Sequence, residues 1–362
     1  MTHFVEQIQE TVRTANALRI TGAGSKTARP ATAGIATLDM RAHSGVIDYQ
    51  PGEFIIQARA GTPVRDVAKL LASHGQYLPF DPMRVDAGAT LGGTVAANAS
   101  GPERFRYGGV RDFIIGCHFV DGTGERLSGG GKVVKNAAGF DYPKLFVGSF
   151  GALGVLIDVC FKVFPQPEVY NTLLQAHASI AAATDAMLKL AGAPLDIHAL
   201  ELASTASGFQ LEVRVGGLQG GMRARMDRVR AIAGGGDIVE GTAESDHWRH
   251  VRELAWLSHG ECVVKLPITP RQMAGLDRHL PAGQTRRYGA GGNVAWLSLP
   301  HHAHDQMHAL CRSEGVSGLA FCNDAGANAR GARFGDWPAN PFAERVRRVL
   351  DPHRKFANAS PL

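Results

Sequence analysis

Glycine is crowded into one stretch of this chain. Of its 44 glycines, 16 fall between Asp86 and Gly154, where an average usage of roughly 7% would place about 5. They follow no Gly-X-Y period and form no Gly/Ser linker, which excludes collagen and low-complexity sequence. They interrupt strongly apolar, strand-like segments instead. A main chain relieved of side chains at such points is shaped to let something approach it closely, either its own backbone or a ligand.

The rest of the composition excludes several classes. A length of 362 residues fits about two domains. No run of about 18 apolar residues occurs, so no membrane-spanning helix is expected. The first residues, Met1 to Glu6, carry neither the basic flank nor the apolar stretch of a signal peptide. Cys117, Cys160, Cys262, Cys311 and Cys322 form no C-x-x-C pair, so iron–sulfur and structural-zinc patterns are missing, and a cytoplasmic location is expected. The net charge of +5 is spread along the chain without a basic stripe or recognition motif, which argues against nucleic acid as a partner. The densest basic group, Arg223, Arg225, Arg228 and Arg230, surrounds Met222, Met226 and Val229 at helical spacing and reads as the solvated face of an amphipathic helix.

Periodicity orders the chain as mixed α and β. Val5, Ile8 and Val12 predict an opening amphipathic helix, followed by a strand over Leu18–Thr21 and then Gly22-Ala23-Gly24-Ser25-Lys26. Strands are expected around 37–40, 46–49 and 54–58. Thr62 reads as the cap of a helix with Pro63 at its first position and Gly75 as its stop. Asp121-Gly122-Thr123-Gly124 marks a hairpin. The strand from Val155 ends at Pro165-Gln166-Pro167, the best domain boundary in the chain. Beyond it, strands and helices alternate at short spacing, as in a compact α+β unit. No internal repeat is apparent.

As phosphate cradles the glycine motifs depart from the two standard patterns. Gly22-Ala23-Gly24 follows a strand, but Thr27 stands where a dinucleotide fingerprint needs its third glycine, and Pro30 arrives too early for the required helix. Gly24-Ser25-Lys26-Thr27 and Gly131-Lys132 both fail as P-loops. A tight turn rich in main-chain N–H groups survives. It serves equally as an anion site or as a plain connection. Gly88–Gly101 leaves room for an extended ligand against the main chain, with Thr90 and Asn98 as polar contacts, or else is a connector packed on its own domain. A third cluster, Gly148–Gly154, leads straight into a strand. His301, His302, His304 and His308 form a further cluster, in which His304 and His308 are spaced to share one face of a helix near Cys311. They read as a metal-facing pair or as incidental histidines on a solvated helix.

The three glycine clusters, in this order, resemble the FAD-binding fold of vanillyl-alcohol-oxidase-like flavoproteins, the PCMH-type domain. Ile20–Lys26 is similar to its first diphosphate loop. Gly88–Gly101 with Arg106-Tyr107-Gly108-Gly109-Val110-Arg111-Asp112 is similar to the stretch that runs along the FAD. Lys135–Asp141, Leu145–Gly151 and Leu153-Gly154-Val155 are similar to the third. Ala60-Gly61-Thr62-Pro63 and Pro79-Phe80-Asp81-Pro82 also fit. Within that superfamily the sequence most resembles the FAD-binding E subunits of bacterial glycolate oxidase (glycolate dehydrogenase). The match covers residues 18–167 and is weak beyond them.

The resemblance implies an α+β protein. Residues 1–167 would form a two-subdomain FAD-binding domain and 168–330 a smaller, ferredoxin-like α+β domain. Residues 331–362 would form a tail returning to the FAD domain. It implies cofactor contacts from Gly22, Ala23, Gly24, Ser25, Lys26, Pro82, Gly88, Ala89, Thr90, Gly92, Gly93, Asn98, Gly101, Gly108, Val110, Asp112, Gly151, Gly154 and Val155. Covalent flavin in the superfamily often uses a histidine in the first loop. Ser25 and Lys26 occupy that loop here, so dissociable FAD is expected. Many relatives hold the hydroxy-acid carboxylate with a metal on His-x-Gly-Asp-Gly-Asn-x-His. The nearest segment here, Tyr288–Ala295, has Tyr288 and Ala295 in place of the histidines, so no metal site is expected, and no catalytic residue is assigned. The implied role is a subunit taking part in oxidation of a small 2-hydroxy acid such as glycolate, beside a larger FAD-binding subunit and an iron–sulfur subunit that receives the electrons. Any membrane association would be indirect, through the complex. A stand-alone flavoenzyme and a non-catalytic scaffold are the alternatives.

Overall fold

The computed structural model describes residues 2–26, 35–131, 140–259, 261–300, 302–323 and 333–356. The opening helix Thr2–Thr14 buries Ile8 and Val12 and delivers the chain into the strand Leu18–Thr21. That strand pairs in parallel with Ala36–Asp39. The main sheet of this half has five antiparallel strands in the order Val46–Gln50, Ile55–Arg59, Val155–Lys162, Ile114–Val120, Arg126–Gly130. Val155–Lys162 is central and covered on both faces, which is why it reads as a nearly unbroken apolar run. Its one acid, Asp158, is held by Gln57 Nε2 and His118 Nδ1, each at 2.8 Å.

The predicted hairpin at Asp121–Gly124 forms as expected. The Asp121 carboxylate accepts from the N–H groups of Thr123 and Glu125 and from the Thr123 hydroxyl, and Gly124 takes φ +85°. Thr62 departs from its expected role. The helix runs Val64–Ala72 after Pro63, with no side-chain cap. The Thr62 hydroxyl donates to Arg59 O at 2.7 Å and accepts from Gly45 N–H at 3.0 Å. The bond back to Arg59 and the one across to Gly45 outcompete capping.

Beyond Pro167 one antiparallel sheet of nine strands carries the rest of the chain. Its first unit runs strand Val169–His177, helix Ile180–Ala191, strands Ile197–Thr205 and Gly208–Gly217, helix Gln219–Ala233 and strand Asp237–Glu240. In the sheet the fourth of these strands lies beside the first, the first beside the third and the third beside the second. This is the ferredoxin-like βαββαβ arrangement. The same order recurs over Cys262–Pro267, Met273–His279, Arg286–Gly289, Val294–Leu299, His304–Ser313 and Gly318–Asn323. The units join edge to edge, with Leu202 opposite Tyr288 and Ala203 opposite Arg287.

The expected ferredoxin-like part is therefore doubled. The sequence shows no repeat because the units share connectivity rather than residues: each element needs only one apolar face. The helix Gln219–Ala233 buries Met222, Met226 and Val229 and leaves Arg223, Arg228 and Arg230 exposed, as its pattern requires.

After the sheet, the helix Pro341–Leu350 lies against the first half, and Leu350 joins that core. Phe356 is fully buried, and Leu18 N–H donates to Lys355 O at 2.7 Å. An apolar seam of Met83, Ala97 and Ala99 with Leu254, Val263, Val294, Trp296 and Phe321 joins the two halves. Beside it, Arg214 Nη1 meets Glu103 Oε1 at 2.7 Å and Arg214 Nε meets Glu244 Oε1 at 2.7 Å.

Candidate cofactor-binding site

The three glycine clusters come together on one groove of about 470 Å³. Gly22, Ala23, Gly24, Ser25 and Lys26 form one wall, Thr90, Gly92 and Gly93 a second, and Gly148, Ser149, Gly151 and Gly154 a third. The wall at Gly22 follows directly from the strand Leu18–Thr21. The wall at Gly92 opens the helix Leu91–Ala97, whose Thr90 hydroxyl accepts from Gly93 N–H at 3.3 Å. Arg84 Nε donates to Ser25 O at 3.3 Å and braces the first loop. Lys26 is buried, with its ammonium 3.3 Å from Ser25 Oγ.

The walls are close enough to exclude side chains at set points. A Cβ on Gly22 would lie 2.3 Å from Thr90 Oγ1. On Gly92 it would lie 2.8 Å from the Ala60 Cβ. Ser149 lines the groove with its hydroxyl buried and without a hydrogen-bond partner among the described residues. A groove of main chain and small residues with an unused hydroxyl fits an extended, phosphate-bearing ligand such as FAD.

The other sequence-predicted residues sit away from this groove. A Cβ on Gly88 would be 3.7 Å from that of Ala23, so Gly88 backs the first loop. Ala89, Val110 and Val155 are fully buried in the core, leaving them only main-chain contacts to offer. Pro82 bridges to Ser100, and Gly101 N–H donates to Asp81 O at 2.6 Å. Gly108 and Asp112 belong to one turn, where the Asp112 carboxylate accepts from Gly109 N–H at 2.8 Å. Asn98 ends the Leu91–Ala97 helix at φ +48°, and its carbonyl accepts from Lys265 Nζ at 3.3 Å. Lys135–Gly139 lies outside the described residues.

Two further acids of the glycine-rich half are engaged structurally. Asp141 caps Tyr142–Phe146 through Lys144 N–H at 3.3 Å, and Asp81 meets Arg252 at 3.2 Å. His304 and His308 pack on the Phe334 ring, at 5.6 and 5.1 Å between centroids, and Cys311 is buried beside them in the core; His301 lies outside the described residues. Tyr288 is buried, its hydroxyl 2.9 Å from Asp277 Oδ1, and Asn293 bonds Ala290 O at 2.9 Å.

Two features were not anticipated from the glycine pattern. The first is a contribution from the far end of the chain: Leu319, Arg333, Trp337, Phe342 and Val346 line the same groove, and Arg333 stacks over the Trp337 ring at 4.2 Å. The apolar face of Pro341–Leu350 was the available signal.

The second is a narrow cleft where the halves meet. It is lined by Ser100, Gly101 and Arg104 from one side and by Glu201, Arg287, Gly289 and Trp296 from the other. Its electrostatics are unusual. Burial pushes the Glu201 carboxyl up to about 7, against the opposing pull of Arg287 at 3.1 Å. Burial, aided by the charge of Arg104, pushes the Lys265 ammonium down to about 7.

Comparison with known proteins agrees with this geometry. A family model described as an FAD binding domain matches residues 3–130. The glycolate oxidase subunit GlcE of Escherichia coli is 32% identical over 354 residues, 96% of this chain and 93% of that protein. The glycolate oxidase subunit GlcD of Bacillus subtilis is 31% identical over 156 residues, 43% of this chain and 33% of its own length. A D-2-hydroxyglutarate dehydrogenase of Xanthomonas citri is 29% identical over 181 residues, 48% of this chain and 38% of its own length. Among solved structures, an alkyldihydroxyacetonephosphate synthase superposes with a TM-score of 0.70 at 17% identity, covering 98% of this chain and 75% of that one, and thereby shares the fold. Matched nearly end to end by one of these relatives and carrying the FAD-binding domain, the chain belongs to the family of the glycolate oxidase subunit GlcE, FAD-dependent oxidoreductase subunits of the hydroxy-acid dehydrogenase type.

Proposed function

We propose that this chain holds a dissociable FAD in the glycine-walled groove and serves in a complex that oxidises glycolate, or a close 2-hydroxy acid, to the 2-oxo acid. FAD supplies the two-electron acceptor when bound. The chain's own part is to hold and orient it. The N–H groups of Gly22–Lys26 are the donors suited to a pyrophosphate, those of Gly92 and Gly93 being taken by Ala60 O and the Thr90 hydroxyl, and Ser149 offers a hydroxyl without a partner among the described residues. The convergence of three sequence-distant glycine clusters on one groove carries this reading. Dissociable binding is supported by the groove's composition: no histidine, cysteine or tyrosine lines it among the described residues, and covalent flavin attachment needs a nucleophile of that kind.

The partner set is part of the same proposal. The chain has no cysteine spacing for an iron–sulfur cluster, so onward electron transfer falls to an iron–sulfur subunit, with a larger FAD-binding subunit beside it in the cytoplasm. No helix among the described residues is long and apolar enough to cross a membrane. Expression with its native partners, followed by flavin and iron counts per complex, tests the assembly. Acid precipitation of the isolated chain tests the cofactor: yellow flavin should stay in the supernatant. A chain that shows no absorbance near the usual ~450 nm flavin band after incubation with FAD would refute the reading.

A further inference from the structure

The glycine-walled groove has two chemically different sides. One is main chain and small residues, suited to phosphate. The other comes from the far end of the chain and is aromatic, with Trp337 and Phe342 lining it beside the aliphatic Leu319 and Val346. Both rings are open, Trp337 at 37% and Phe342 at 54% exposed. Neither joins any of the apolar clusters formed by the described residues. Single apolar side chains scattered over a surface need no explanation, but two open rings on one groove call for one.

Trp337 is held in a fixed pose all the same. Its indole N–H donates to Phe334 O at 3.1 Å, and the Arg333 guanidinium lies over its ring at 4.2 Å. Phe334 is fully buried, in a strand that pairs with Gly318 and Leu319 of the nine-stranded sheet. The Ser317 hydroxyl donates to Asp336 O at 2.7 Å and fastens the turn that carries the indole. Phe342 is placed from the other half. It sits in the first turn of the helix Pro341–Leu350, where Asn340 Oδ1 accepts from the N–H groups of Phe342 and Ala343 at 3.1 Å each, and Leu350 anchors that helix in the core of the first half. Rings fixed this way but packed on no core leave apolar area in water, and a planar ligand is the shape that covers it.

We propose that the tail of the chain supplies the seat of one planar ring of the cofactor, stacked on Trp337 and flanked by Phe342. The proposal rests on the preceding reading that the groove holds FAD. The molecule is divided as the groove is: a charged pyrophosphate joins two flat ring systems. With the pyrophosphate at Gly22–Lys26, a ring is the part that suits the aromatic side. Adenine and isoalloxazine share the π-face that an indole recognises. The tail is then a working part of the cofactor site as well as a packing element of the fold.

The test titrates FAD and, separately, ADP into the flavin-free full chain, following tryptophan emission and flavin absorbance. Trp337→Ala should weaken FAD binding about fivefold or more, with the unliganded melting temperature little changed, because the ring packs on no core. Trp337→Phe should keep most of the affinity and reduce the FAD-induced quenching of tryptophan emission. Trp337→Leu, apolar but without a π-face, should bind as weakly as Trp337→Ala. An ADP affinity that falls together with that for FAD identifies the ring as adenine; an ADP affinity that stays while FAD weakens identifies it as isoalloxazine. Phe342→Ala should also weaken FAD, and it carries the test if Trp337→Ala fails to fold. FAD bound by both alanine variants as tightly as by the wild type overturns the proposal, as does equal affinity in Trp337→Leu and Trp337→Phe. A wild-type chain that binds no FAD refutes the preceding reading, and this proposal with it.

Discussion

Arg214→Met is the sharpest test of how the two halves are held together. Arg214 is 6% exposed and projects from the strand Gly208–Gly217. It bonds Glu103 at 2.7 Å across the seam and Glu244 at 2.7 and 3.1 Å, and stacks on the Tyr170 ring at 3.9 Å. Glu103 and Glu244 are 2% and 1% exposed. Methionine fills much of the volume but leaves two carboxylates buried without a cation. Removing one partner of a buried ion pair costs about 3–5 kcal/mol, mostly as the penalty on the charge left behind.

The sign with pH follows from that penalty. Burial already raises the Glu103 carboxyl above its ordinary range, with Arg214 pulling it back down. Without Arg214 the folded-state pKa rises further, so the folded variant binds protons more tightly than its unfolded chain. Its stability is therefore fuller at acid pH and falls as pH rises through the shifted pKa. The deficit against wild type should be largest near pH 8 and shrink towards pH 5. Urea unfolding followed by the fluorescence of Trp248, which lies 5.6 Å from the guanidinium, measures it. The triple variant Arg214→Met, Glu103→Gln, Glu244→Gln should recover most of the loss. A deficit under about 1 kcal/mol at pH 8, or one that ignores pH, would show that these carboxylates are not stranded.

Gly22→Val should leave the fold intact and lower FAD retention about tenfold or more, since its Cβ would already meet Thr90 Oγ1 at 2.3 Å; gel filtration followed by the 280-to-450 nm absorbance ratio reads it. Leu202→Ala, at the joint of the two ferredoxin-like units and fully buried, should cost about 2–5 kcal/mol in urea unfolding. Phe356→Ala should cost a similar ~3–5 kcal/mol and increase proteolysis of the segment after Leu350, because Phe356 is fully buried and its N–H is bonded to Asp351. Burial pushes the thiols of Cys117 and Cys311 up to about 12 and about 11. Neither should be alkylated by iodoacetamide at pH 8 in the native chain, as peptide mass spectrometry would show.

The first half was more legible in the sequence than the second for a physical reason. A main chain that must pass close to another main chain or to a ligand can use only glycine or alanine at certain points, so Gly22 and Gly92 leave a visible mark. The strand Leu18–Thr21 and the turn after Val120 are local decisions, made by alternation and by one aspartate. The nine-stranded sheet is set by long-range pairing, such as Leu202 with Tyr288, to which no short motif corresponds. Its elements were readable one at a time, but their order was not. The charge pairs were equally hidden, since Glu103 and Arg214 are joined only when the seam closes. Thr62 shows the limit even of local reading: its hydroxyl had two competing partners, Arg59 O in the turn before the helix and Gly45 N–H from 17 residues earlier.

The segment from Gly93 to Arg104 runs from the groove to the cleft between the halves. Gly93, Ala96 and Ala97 line the groove, while Ser100, Gly101 and Arg104 line the cleft. Between them the Asn98 carbonyl receives Lys265 from the second half, and Glu103, next to Arg104, receives Arg214. One short stretch of main chain therefore faces the candidate cofactor site at one end and the cleft at the other, and it is fastened on both sides of Ser100 by cations from the nine-stranded sheet. Lys265 is fixed by a single bond to a carbonyl, whereas Arg214 is fixed by two carboxylates. The Arg214 clamp can hold the segment in place without a ligand in the groove, and Lys265 adds a lighter tether at Asn98. Loosening the Arg214 clamp should therefore disturb the groove wall at Gly93–Ala97 along with the seam, whereas Lys265→Met, which removes one bond at Asn98, should disturb that wall less.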